Sequence, residues 1–151
     1  LKDEDSDVRR SAASALDRQS TSPESAIQSL IGALKDKVWD VRSSVESALR
    51  KQSTLPESAI QSLIGVLKDD DANVRRRAAS ALGGQSTLPE SAIQSLIGAL
   101  KDEDADVRNS AASALGKQST LPESAIRSLI GALKEEDADA RKSVTEALDS
   151  Q

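Results

Sequence analysis

The 151-residue chain contains no cysteine, histidine, methionine, phenylalanine or tyrosine, and Trp39 is its single aromatic residue. Each absence excludes a class of chemistry. Without cysteine or histidine there is no disulfide framework, no thiolate or imidazole metal site and no histidine-based catalytic triad. A single aromatic leaves no platform on which nucleic-acid bases could stack. Basic charge is also short: 20 Lys and Arg face 25 Asp and Glu, for a net charge of −5. A general phosphate-binding surface needs the opposite balance. No apolar run approaches the length that spans a bilayer, and no signal-peptide pattern opens the chain. Large apolar residues are sparse, with 17 Leu, 8 Ile and 8 Val. So few can build a core only if they are strictly placed.

They are placed by an internal repeat. Pro23, Pro56, Pro89 and Pro122 recur at a step of 33, and so does the tripeptide QST opening at Gln19, Gln52, Gln85 and Gln118. The units are therefore 19–51, 52–84, 85–117 and 118–150, preceded by a half unit 1–18, with Gln151 beginning another. One continuous domain is expected. Both ends fall in mid-pattern and no initiator Met is present, so the array is expected to continue on both sides in a longer protein.

Each unit reads as two helices. In T-L-P-E, Thr54 is expected to cap the first helix while Glu57 reaches back, with Pro56 tolerated in the first turn. Ile60, Leu63, Ile64 and Leu67 then fall on one helical face. Ser58, Ser62 and Gly65 fall opposite. The recurring Gly32, Gly65, Gly98 and Gly131 reflect either duplication of one ancestral glycine or close approach of a neighbouring helix. The acidic K-D-E-D-A-D-V-R stretch turns the chain into the second helix, with Asp104 as its cap and Asp106 favoured by the helix dipole. Val107, Ala111, Ala114 and Leu115 form its buried stripe, and Gly116 or Gly83-Gly84 ends it. Two such helices cannot cover their own apolar faces, so stacked neighbours must complete the core.

The pattern D-x-D-x-x-V-R-x-x-A-A-x-A-L after L-I-x-A-L-K resembles the HEAT-like repeat family, including its short bilin-lyase-type variety, over the whole chain. The resemblance implies an all-α, right-handed α-solenoid, here with nine helices, the first helix of each pair outside and the second lining a concave face. It also implies an Asp/Arg ladder through the stack, at Asp3/Arg9, Asp36/Arg42, Asp69/Arg75, Asp102/Arg108 and Glu135/Arg141. These pairs read as internal struts rather than a recognition stripe, because they recur in every unit. The wording QSTLPESAIQSLIGALKDED also resembles the C-terminal arrays of fungal NACHT-type (STAND, NOD-like) proteins. That implies the ligand-sensing segment of a larger receptor.

Other chemistry finds little support. Asp102, Asp104 and Asp106 alternate like the first ligands of a calcium-binding EF-hand loop, but Val107 and Ser113 occupy the places where that loop needs Gly and Glu. The remaining carboxylates sit at helix starts, where capping accounts for them. Iron held by His-Glu pairs, known in some HEAT-repeat hydroxylases, needs the absent histidine. No enzyme activity, cofactor or metal is expected, and the 24 serines show no distinguishing kinase motif. Trp39 is read as folding onto the neighbouring turn near Ala72, with an exposed aromatic anchor as the alternative.

The most informative feature is where the units differ. In the first seventeen positions, 14 are identical in all four units, the exceptions falling at Ser22, Arg127 and Val66; in the last sixteen only those of Arg42, Ala48 and Leu49 are invariant. Helical geometry then predicts a solvent stripe on the second helices: Arg10, Ser43, Glu46, Arg50, Arg76, Ala79, Asn109, Ala112, Lys142 and Thr145. Ala79, Gly83, Ala112 and Gly116 are expected to floor a shallow groove. A constant scaffold with a varied concave face points to a protein or peptide partner. The alternative is a structural spacer, which gives no reason for the second helix to vary more than the first. Nucleic acid is not expected, since Arg10, Arg76, Arg77 and Lys142 form only a broken basic stripe, and neither is a membrane. Terminal helices that expose Val8, Leu16, Val144 and Leu148 are expected to associate end to end or fray. A cytoplasmic location is the expectation.

Overall fold

The computed structural model describes residues 1–134 and 138–149. Its elements are α1 (Ser6–Asp17), α2 (Glu24–Ala33), α3 (Trp39–Lys51), α4 (Glu57–Val66), α5 (Ala72–Leu82), α6 (Glu90–Ala99), α7 (Ala105–Gly116), α8 (Glu123–Ala132) and α9 (Ala138–Asp149). Among the described residues there is no strand. First helices α2, α4, α6 and α8 form one layer, and second helices α1, α3, α5, α7 and α9 form the other. The result is a solenoid-like tandem array of helix pairs.

The leucine spacing sets the core between the layers. Leu30, Leu63, Leu96 and Leu129 from the first helices meet Leu49, Leu82 and Leu115 from the second, all fully buried. Each contributes roughly 2 kcal/mol of burial. The repeat thus supplies the same two leucines at every level of the stack.

Helix ends follow the sequence in part. Asp5, Asp71 and Asp104 cap α1, α5 and α7, each accepting a backbone N–H at 2.8–3.1 Å. The first helices start differently from the Thr-and-Glu expectation. Their N-caps are the prolines, with no side-chain cap, and the Pro56 carbonyl accepts from Ala59 and Ile60. Proline places the helix start two residues beyond Thr54, out of reach of its hydroxyl. The expected glycine terminators also act otherwise: Gly116 is the last residue of α7, Gly83 follows α5 in right-handed conformation, and no described residue has positive φ.

Gln52, Gln85 and Gln118 are buried and carry bonds the repeat pattern alone does not disclose. Each donates from Nε2 to the backbone carbonyl of the glutamine one unit earlier, at 3.1–3.3 Å. Gln85 also accepts from the Leu55 N–H at 2.9 Å. A buried polar side chain is tolerated when it is bonded, and here the Nε2 bonds tie unit to unit, although the Gln52 Oε1 is buried without a partner.

At the ends, Val8 is 48% exposed and Leu16 half-buried, because α1 has no first helix beneath it. Val144 is different. It is buried in the core, with α9 packed against both α7 and α8, and Leu148 is half-buried.

Candidate functional site

The Asp/Arg ladder is the first constellation the helix starts assemble. Its rungs run between units rather than within them. Arg9 forms a bidentate pair with Asp36 at 2.7 and 3.0 Å, and Arg75 does so with Asp102 at 2.8 Å on both nitrogens. Within its own unit each Arg instead donates to backbone carbonyls. Arg9 bonds the carbonyls of Asp3 and Glu4, Arg75 those of Asp69 and Asp70, Arg108 those of Asp102 and Glu103, and Arg42 that of Asp36. Six residues is therefore the spacing from guanidinium to carbonyl, and the carboxylate rung spans 27 residues. Glu135 lies outside the described residues.

The electrostatics match the geometry. The hydrogen bond from Arg9 holds the Asp36 carboxyl below its usual range. At Asp102 desolvation pushes upward and is outweighed by Arg75 and the Asp104 N–H, so that carboxyl is lowered too. The ladder is interrupted between α3 and α5. There Asp69 pairs with Lys35, and the buried Nε of Arg42 has no partner.

The varied face comes next, and it differs from the expected one. Ala79 and Ala112 are 0% exposed, so they belong to the helix–helix interior. Gly83 is buried as well: a Cβ there would sit 2.9 Å from the Ala114 Cβ. The second helices are covered by their first helix and by flanking second helices, so small residues mark contact, not a groove. Of the other expected residues, Arg10, Arg50, Lys142 and Thr145 are exposed, while Ser43, Glu46, Arg76 and Asn109 are half-buried. Arg10 pairs with Asp7 at 3.1 Å, and the Thr145 hydroxyl donates to the Arg141 carbonyl at 2.9 Å.

On α3 and α7 the outward stripe lies one residue further along, whereas on α5 the matching position is the buried Arg77. It comprises Asp40, Ser44, Ser47 and Lys51 on α3 and Asp106, Ser110 and Ser113 on α7 with Lys117 just past its end, all exposed or half-buried. Adjacent helices are bridged along it: Asp17 accepts from the Ser47 hydroxyl and from Lys51, each at 2.6 Å. The Lys51 hydrogen bond, then that of Ser47, lowers the Asp17 carboxyl.

One internal pair was hidden from pattern reasoning. Glu46 stands where α1, α5 and α7 carry Ala13, Ala79 and Ala112, and Arg77 stands where α1, α3 and α7 carry serine. The two substitutions meet. Arg77 Nη1 lies 2.7 Å from Glu46 Oε2 with side-chain exposures of 4% and 14%, and Arg76 approaches the same oxygen at 3.5 Å. Desolvation lowers the Arg77 pKa, with Glu46 opposing. The signal was a matched departure in successive units.

Trp39 is 62% exposed, so it does not fold onto the turn near Ala72. With Lys37 and Val38 it replaces the residues that place an aspartate cap in other units, and α3 consequently has Val38 as its N-cap, with no side-chain cap. At the four recurring first-helix glycines, Gly32, Gly65, Gly98 and Gly131, an added Cβ would meet nothing within 4 Å. Close approach is thus excluded as their reason. No cluster of three metal-capable His, Cys, Asp or Glu side chains occurs among the described residues, and none of their helices is long and apolar enough to cross a membrane.

Several solved structures are similar to this fold. An engineered protein is 25% identical over 99% of this chain and 75% of its own, with a TM-score of 0.57. A designed armadillo repeat protein in complex with the peptide (KR)4 superposes with a TM-score of 0.59 at 18% identity, over 98% of this chain and 77% of its own. Human deoxyhypusine hydroxylase in complex with glycerol is 26% identical, with a TM-score of 0.64, over 82% of this chain and 42% of its own. No curated protein matches the sequence. The family model for HEAT repeats matches residues 1–50 and 60–149. With its paired helices, buried leucine layers and Asp/Arg rungs, the chain belongs to the family of HEAT repeats.

Proposed function

We propose that the chain is a non-catalytic binding array that receives a protein or peptide along the second helices, on the concave face of a right-handed solenoid. One observation carries the reading. Unit-to-unit variation concentrates on the second helices, and its outward part forms two rows: Arg10, Ser43, Arg76, Asn109 and Lys142 in one, Arg18, Lys51, Gly84 and Lys117 in the other. The first-helix surface is almost constant. The likeness to a designed armadillo protein solved with a bound peptide supports this use of the architecture. On the resemblance of the QSTLPESAIQSLIGALKDED wording, the array serves as the sensing segment of a larger NACHT-type receptor.

A spacer without ligand is favoured by a different observation. Glu46, Arg77 and Gly84 vary for packing reasons, since all three lie in the contact between α3 and α5. Panning a displayed random-peptide library against the chain separates the two. Enriched peptides should slow amide exchange in α3, α5 and α7, and Ser110→Arg with Ser113→Arg should abolish their binding at unchanged helical circular dichroism. Absence of enrichment, or protection confined to α4 and α6, overturns the reading.

A further inference from the structure

Between the C-terminal ends of α3, α5 and α7 lies a groove of ≈ 320 Å³, lined by Arg50, Ser80, Asn109, Ser110, Ser113 and Lys117 among others, with no acidic side chain. The chain as a whole is acidic, so this local composition is unusual for it. On α3 the equivalent cation, Lys51, is neutralised. Lys51 and Ser47 of α3 hold the Asp17 carboxylate from the neighbouring helix between them. Lys117 and Ser113 are the same two positions one repeat pair later. The residue that should answer them from α5, at the position of Asp17, is Gly83. The two donors are present here without the carboxylate.

We infer that Lys117, Ser113 and Arg50 form a carboxylate-binding site, filled by an acidic side chain of a peptide lying across the second helices. The Asp17 bridge shows within this molecule how that group is held: one oxygen on a serine hydroxyl, the other on a lysine ammonium. Arg50 adds a second cation that no carboxylate meets among the described residues. Charge-assisted bonds of this kind are about twice as strong as neutral ones.

The surrounding donors agree. In the first helices, Ser29, Ser62 and Ser95 spend their hydroxyls on the carbonyl four residues earlier. Ser80, Ser110 and Ser113 line the groove with no such bond among the described residues, and the Asn109 Oδ1 is buried without a partner. Desolvation and, second to it, the Arg50 charge lower the Lys117 pKa. Gly83 lets α5 approach α7 closely at Ala114, and both residues line the groove.

This inference deepens the peptide-binding reading and rests on it, and the test keeps the two apart. The probes are acetylated, amidated peptides of four Glu-Ala, four Gln-Ala or four Lys-Arg repeats, together with inorganic phosphate followed by amide chemical shifts. The Glu-Ala peptide should bind about tenfold more tightly than the Gln-Ala peptide, corresponding to one charge-assisted contact. The Lys-Arg peptide should not bind. Arg50→Ser with Lys117→Ser should erase the preference at unchanged circular dichroism, whereas Lys51→Ser should not. Equal binding of the Glu-Ala and Gln-Ala peptides overturns the carboxylate site and leaves the peptide reading standing. If no peptide binds, but phosphate shifts Ser110, Ser113 and Lys117 in the parent chain and not in the double variant, the anion site stands and the peptide reading falls. No preference and no shift overturn both.

Discussion

The contact between α5 and α7 and the contact between α3 and α5 join equivalent helices by different means. At α5/α7 the interior is Ala79, Ala112 and Ala114 against Gly83, and the Arg75–Asp102 rung closes one end. At α3/α5 the rung is missing, an ion pair replaces the alanine contact, and Gly84 lies against the Arg50 backbone, where a Cβ would be 2.7 Å from the Arg50 Cα and carbonyl oxygen. One contact is fastened at the helix starts and filled with methyl groups. The other is fastened at the helix ends and held apart in the middle by charge. The same backbone repeat accommodates both, so the helix pair is conserved while the glue between pairs is not.

The sharpest way to break the comparison is to convert one contact into the other. Glu46→Ala alone strands Arg77 in the interior and should cost about 3 kcal/mol. Glu46→Ala with Arg77→Ser installs the residues of the α5/α7 contact and should return to within about 1 kcal/mol of the parent, because well-packed neutral groups replace buried ion pairs at little cost. Urea melts of the cycle decide it, and an additive double variant would show that the pair is not coupled.

The ladder gives the next effect. Arg75→Ala loses a bidentate carboxylate and two carbonyls, whereas Arg42→Ala loses one carbonyl. The first should be more destabilising by about 1–2 kcal/mol. Equal urea midpoints would mean that the missing rung has no energetic consequence.

Acid should act on the same rungs. Asp36 and Asp102 titrate lower in the fold than in an unfolded chain, so below about pH 4 the unfolded state binds more protons. Stability is fully present above that pH and declines as pH falls through the lowered values. Asp102→Asn should shrink the difference in stability between neutral and acidic solution, measured by denaturant melts at each pH. An unchanged difference would remove Asp102 from the account.

The smallest effect lies outside both contacts. Gly98→Ala fills open space on a helix and should stabilise by roughly 0.8 kcal/mol. Gly84→Ala should do the reverse, because its neighbour is backbone that cannot yield. A thermal scan in which both variants shift in one direction would erase the distinction.

Much of the fold was legible because the repeat is nearly literal. The step of 33 gave unit boundaries, the i, i+3, i+4, i+7 spacing gave the first-helix core, and Asp104 was readable as a cap because it ends an acidic turn just before the periodic Val107, Ala111, Ala114 and Leu115 stripe. The face of the second helix was less legible. Placing solvent opposite Val107 and Leu115 assumes a helix buried on one side, and these are buried on three. Ala79 and Ala112 carried the signal, since small residues on a helix in a stack mark where another helix lies. The glutamine bonds escaped because QST served only as a repeat marker. The exposed Trp39 escaped because a lone aromatic is more often covered.

The glutamine bonds have a bearing on how such an array can change length. Each reaches one unit back to a backbone carbonyl, which every residue type offers, so a unit can be removed or copied and the bond re-forms with whatever unit precedes it. Units joined only this way are interchangeable parts. The Glu46–Arg77 pair is not, because excising residues 52–84 would set Glu46 against Ser110 with no counter-charge. In a chain otherwise free to lose or gain whole units, that pair is an address label: it makes the order of two particular neighbours a matter of stability.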